Sequence, residues 1–197
     1  MSLKTGNPPE KALEVIAEAA NKLVYSTHES ALGALEGGTE SAELAAPLEV
    51  YTLNLPDVID KNLENSKSTG WRYTILRENE PVAAAEVNAS NGEDVRFSHF
   101  NSGPFVEQLV RTLIRAENLE IVADEDYEAR VLKIPALYVM ALWLHGESDD
   151  FLIPMRPTSE KLDAGKSYLP EELFERLTSD ARARLEFDDA PDGDENH

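Results

Sequence analysis

Residues 71–100 read WRYTILRENEPVAAAEVNASNGEDVRFSHF, and this stretch decides the fold class. Three runs within it, 71–77, 82–90 and 94–100, are bounded by turn residues and read as strands, the first and third rich in β-branched and aromatic residues. Asn79-Glu80 separates the first two runs. Asn91-Gly92 separates the second and third, and Asn-Gly is a strong hairpin signal because both central residues of the favoured turn take positive φ. The reading predicts an antiparallel meander with two-residue turns. Residue 78 then opposes 81, Ser90 opposes Glu93, and Ala84 opposes His99. Successive side chains alternate between faces, so the register sorts them. Trp71, Tyr73, Ile75, Glu86 and His99 fall on one face, expected to be the more buried. Arg72, Thr74, Ala85 and Val87 fall on the other, which is small enough to receive a helix.

Outward from the meander, Gly103-Pro104 opens a helix to about Asn118, with an apolar stripe through Val106, Leu109 and Leu113. Residues 120–123 read as a short strand. Residues 127–134 read as a strand, 137–145 as a strand apolar on both faces and thus central in a sheet, and 151–155 as its return. Residues 170–187 form a last helix, with Phe174, Leu177 and Ala181 on one side. Towards the N-terminus, Asn7 and Glu10 with Pro8 suggest a helix start, and Leu13, Ile16 and Ala20 recur at helical spacing to about Val24. Residues 26–47 read as a short helix around 29–35 or otherwise as a mobile surface connection. Residues 48–55 read as a strand stopped by Pro56, and 57–68 as a helical turn followed by loop. Leu13, Leu109, Leu113, Val139, Leu142 and Leu177 are the expected core.

The 197 residues, 42% hydrophobic and 28% charged, suit one globular domain over 1–187. The acidic tail 188–197 carries Pro and Gly and is expected to be disordered. With no cysteine, disulfides, thiolate metal sites and cysteine nucleophiles are excluded. The first ten residues have no apolar core of a secretory signal, and the longest apolar run, 134–144, is too short to span a bilayer. A cytoplasmic location is the expectation. Asp and Glu number 38 against 18 Lys and Arg, a net charge of -20. Such a field repels nucleic acid and anionic membrane surfaces, so neither is expected as a partner. It is compatible with simple solubility, with adaptation to high salt, or with a surface that docks on a basic protein or imitates nucleic acid.

The chain lacks a phosphate-binding G-x-x-x-x-G-K-S/T loop, a dinucleotide G-x-G-x-x-G turn and a G-x-S-x-G nucleophile elbow. His28-Glu29 begins like a zinc-protease helix, but Leu32 stands where the second His is needed. No pair among His28, His99, His145 and His197 has local metal-ligand spacing. No metal or cofactor is implied. In the register above, Glu86 and His99 are diagonal neighbours and Tyr73 lies beside Glu86. A carboxylate, an imidazole and a phenol on one face are the ingredients of acid/base work, and equally of an ordinary polar rim.

The reading is therefore an α+β fold in two layers, an antiparallel sheet of five to seven strands with helices mainly on one face. The expected function is that of a non-enzymatic acidic interaction protein, of the adaptor, inhibitor or immunity type, binding a basic protein partner. The alternative is a small enzyme or ligand-binding module whose pocket between helix and sheet uses Tyr73, Glu86 and His99. The sequence leaves the oligomeric state open.

Overall fold

The computed structural model describes residues 3–26, 42–90 and 94–188. The chain runs β1 (Leu3–Thr5), α1 (Ala12–Ser26), β2 (Ala42–Thr52), α2 (Leu55–Ile59), a 3₁₀ turn, β3 (Lys67–Arg77), β4 (Glu80–Ser90) and β5 (Asp94–Asn101). It continues as α3 (Pro104–Ala116), α4 (Glu120–Asp124), β6 (Tyr127–Ile134), a second 3₁₀ turn, β7 (Val139–His145), β8 (Asp150–Pro154) and α5 (Pro170–Asp188).

The fold is α+β, but its sheet is mixed. The eight strands among the described residues lie in the order β5-β4-β3-β2-β6-β7-β8, with β1 paired to β6 beside that path. β2 and β6 are parallel, as are β1 and β6, and the other pairs are antiparallel. The expectation of a purely antiparallel sheet of five to seven strands fails for a topological reason. A helical crossover through α3 and α4, not a hairpin, returns the chain from the β5 edge to the free side of β2. The three-residue β1 is too short to show periodicity in the sequence.

Helices cover both faces, so the expected two layers become three. Val131 and Leu132 are successive in β6 and point to opposite sides. Val131 packs with Leu109 and Ala116 of α3, whereas Leu132 packs with Phe174 and Leu177 of α5. Cross-strand pairs carry the α5 face from Trp143 through Arg130 and Glu49 to Trp71. There Trp71, Tyr73 and Ile75 pack with Ala12 and Ile16 of α1.

α1 starts at Ala12, not Pro8, because each residue before a proline is disfavoured in helix and Pro8 precedes Pro9. Its buried line is Ala12, Ile16 and Ala20, which turns Leu13 out to 52% exposure. Of the other expected core residues, Leu109, Val139, Leu142 and Leu177 are buried and Leu113 is half-buried. β2 begins six residues before the expected Leu48, in an alanine-rich stretch whose Pro47 is housed in a bulge between Ala45 and Leu48. Residues 120–123 form α4 rather than a strand, since four residues cannot separate the two periods. The expected short helix or loop in 26–47 and the tail 188–197 fall largely outside the described residues.

The meander forms, but its register differs. The first turn uses Glu78 and Asn79, with φ of 52° and 66°, one residue earlier than expected. That displacement alone would leave every side chain on its expected face. A bulge at Val82, where Ile75 pairs with Ala83 and Leu76 with Pro81, then slips β4 by one and flips it against β3. Tyr73 therefore pairs with Ala85, and Arg72 pairs with Glu86. On the far side Ser90 pairs with Asp94 instead of Glu93, leaving three residues between them, themselves outside the described set. Val87 opposes Phe97 rather than Arg96. A second bulge at Ser98 restores the parity, so that Glu86 opposes His99 directly and Ala84 opposes Asn101.

Candidate functional site

The two slips break up one expected grouping and make another. Glu86 and His99 come together, with His99 Nε2 3.8 Å from Glu86 Oε2. Tyr73 does not join them. It lies on the opposite face, buried with α1, and burial pushes its phenol pKa up. In its place the structure brings Arg72 and Lys133.

Arg72 sits on β3 between Leu48 and Glu86 in the cross-strand row and is fully buried. A guanidinium cannot be left alone in such a place, because an unpaired buried charge costs several kcal/mol. Its Nη1 donates to Glu86 Oε1 at 2.5 Å. Lys133, on β6, donates from Nζ to Glu86 Oε1 and Oε2 at 2.7 and 2.6 Å. Burial pushes the Glu86 carboxyl pKa up, but Lys133 and Arg72 outweigh it and hold the group below its ordinary value. At the rim, Ser98 Oγ and His99 Nδ1 are 2.9 Å apart and His99 is about half exposed. The arrangement is one carboxylate serving two cations. A carboxylate so held is a poor proton acceptor at neutral pH.

The sequence signal for Arg72 is a cation set between two aromatic residues of one strand, Trp71 and Tyr73. Lys133 lies 47 residues from Glu86, and nothing local points to it.

A second constellation stands at the start of β6. Glu125 Oε1 accepts the backbone N–H groups of Glu147 and Ser148 at 2.8 and 3.0 Å, which fixes the loop between β7 and β8. Its Oε2 accepts from Tyr127 Oη at 3.3 Å. Burial first, then Glu125, Asp149 and Asp150, push the Tyr127 phenol up. Lys4 of β1 pairs with Asp126 at 2.5 Å. Asp150 Oδ1 accepts from Trp143 Nε1 at 2.8 Å and lies 2.8 Å from His145 Nδ1. Asp150 thus orients the imidazole and leaves Nε2 on its other side. Lys4, Glu125, Asp126, Tyr127, Glu128, His145 and Glu147 line a groove of about 720 Å³, in which Lys4 pairs with Asp126 and Arg130 pairs with Glu128 at 2.7 Å. His145 and Asp150 close the β7–β8 hairpin as a register pair, a partnership that the sequence pattern does not single out.

A third recess, of about 600 Å³, lies between the start of α3 and the loop after β8, with Gln108, Arg156, Thr158, Glu160 and Asp163 among its lining. Its charges are mixed and it converges on no single chemistry. Among the described residues no three His, Asp or Glu are gathered as a metal site, and no helix is long and apolar enough to cross a membrane.

No family model matches this chain, and neither a curated protein nor a solved structure is significantly similar to it.

Proposed function

We propose that the protein is a non-enzymatic acidic interaction protein, of the adaptor, inhibitor or immunity type, and that it receives a basic segment of a protein partner in the groove at the start of β6. The observation that carries this reading is the gathering of Glu125, Asp126, Glu128 and Glu147 beside Tyr127 and His145 in that groove. A lysine or arginine entering it meets carboxylate acceptors and an aromatic ring, the combination that favours cations. The chain's net charge of -20 steers a basic partner from a distance. The alternative, a small enzyme built on Glu86 and His99, is weakened by the two cations that occupy Glu86 and by the removal of Tyr73 to the other face.

The test is capture of partners from the native host at about 50 mM and about 500 mM salt, between which the screening length falls from above to below roughly 10 Å. It is run with the wild type and with Glu128→Lys/Glu147→Lys. The reading requires a basic protein that the wild type retains at low salt, loses at high salt, and that the charge-reversed chain does not retain. Equal capture by both chains refutes it.

A further inference from the structure

Arg72 is the least explained side chain in the molecule. It is 0% exposed, and among the described residues only its Nη1 has a protein acceptor. Its Nε and Nη2 are buried and have no hydrogen-bond partner among the described residues. These two nitrogens form one edge of the guanidinium, and their N–H groups point the same way, spaced to match two oxygens of a carboxylate or phosphate. Thr74 lies two residues further along the same face of β3, also buried, with its hydroxyl unpartnered. Leaving such donors unmet costs about 1–3 kcal/mol each, and more for a charged group. Native proteins rarely tolerate that without an occupant.

The charges indicate which occupant. Arg72 and Lys133 bring two positive charges to the single negative charge of Glu86, and both Glu86 oxygens are already engaged. Among the described residues the cluster carries one cation in excess, shared between a fully buried arginine and a lysine that is 20% exposed, in a chain that is strongly acidic overall. A neutral ligand would meet the donors and leave the charge, whereas an oxyanion meets both. Lys133, with a side chain 20% exposed, and the half-exposed His99 mark where the cluster reaches solvent.

We propose that the Nε–Nη2 edge of Arg72, with the Thr74 hydroxyl and the excess charge of Lys133, is a binding site for a small oxyanion of the carboxylate or phosphate class. It is separate from the acidic groove and does not depend on the function proposed for it.

The experiment follows the Nε–Hε resonance of Arg72 in ¹H–¹⁵N spectra of the full chain, identified by its loss in Arg72→Lys. Inorganic phosphate and acetate are titrated in separate arms against sodium chloride of equal ionic strength. A saturable shift of that resonance with phosphate or with acetate, accompanied by a rise in thermal midpoint, is the expected result, and the stronger arm names the class. Thr74→Val, which leaves the Arg72–Glu86–Lys133 contacts in place, should weaken binding about fivefold, the worth of roughly one hydrogen bond. A resonance that responds to neither anion beyond the chloride control overturns the proposal. So does a Thr74→Val chain that binds as tightly as the wild type.

Discussion

Lys133 Nζ lies 2.7 and 2.6 Å from the two carboxylate oxygens of Glu86, although β2 and β3 stand between their strands. With Arg72 bonded to the same carboxylate, the contact ties β6 to the β3–β4 hairpin across the middle of the sheet. Removing the carboxylate strands two cations. Glu86→Gln should therefore cost about 3–5 kcal/mol in urea unfolding. Replacing the whole cluster, as Arg72→Met/Glu86→Leu/Lys133→Met, should cost much less, since a buried ionic cluster and a well-packed apolar one are often close in stability. A triple variant less stable than Glu86→Gln would mean that the ion pairs themselves, and not the penalty of stranding them, support the fold.

The same carboxylate predicts a pH dependence. Its folded pKa is held below the ordinary 4.5 by Lys133 and Arg72, against burial. A group depressed in the folded state contributes stability above its unfolded pKa and loses it as pH falls through the folded one. The stability difference between wild type and Glu86→Gln should thus be constant from about pH 7 to 5.5 and shrink below about pH 4.5. A difference that persists undiminished to about pH 2 would show that Glu86 does not titrate with folding.

How much of this was legible in the sequence differs between elements. β6 was read residue for residue, and the helix after Gly103-Pro104 nearly so, because long periodic runs bounded by turn residues leave one choice. The three meander strands were legible, but their register was not. It depends on bulges at Val82 and Ser98, and an inserted residue leaves no signature in the local sequence, whether beside the alanines of β4 or between Phe97 and His99 of β5. That single-residue ambiguity separated Tyr73 from Glu86 and put Arg72 there. Lys133 was out of reach for a different reason, because its contact is created by the crossover that makes β2 and β6 neighbours.

The displaced turn gives a direct check on the register. Glu78 takes φ of 52°, a conformation that costs an L-residue roughly 1–2 kcal/mol and glycine little. Glu78→Gly should raise stability by up to about 1 kcal/mol, the backbone entropy of glycine offsetting the rest. Glu80 pairs with Arg77 inside the ladder, so Glu80→Gly should lower stability by about 0.5–1 kcal/mol. The expected two-residue turn at Asn79-Glu80 predicts the reverse order.

The orientation of α1 is tested by contrast with α3. Leu109 is buried among Val50, Val131 and Leu142, so Leu109→Ala should cost about 2–5 kcal/mol. Leu13 is half exposed, and Leu13→Ala should stay within about 0.5 kcal/mol of wild type. A large loss at Leu13 would mean that α1 is rotated by about one residue towards the stripe expected from its sequence.

The charge makes a kinetic prediction for the groove at the start of β6. A field from -20 charges accelerates the approach of a cation and hardly affects its escape once short contacts have formed. A short oligolysine peptide, used as the probe in stopped flow, should associate more slowly by at least about tenfold between 50 and 500 mM salt, with a smaller change in dissociation. Glu147→Lys alters only one of many charges in that field. It should therefore lower the on-rate modestly while raising the off-rate, because Glu147 lines the groove itself. If Glu147→Lys leaves the off-rate unchanged, the peptide is held by the general surface and the groove is not where basic segments dock.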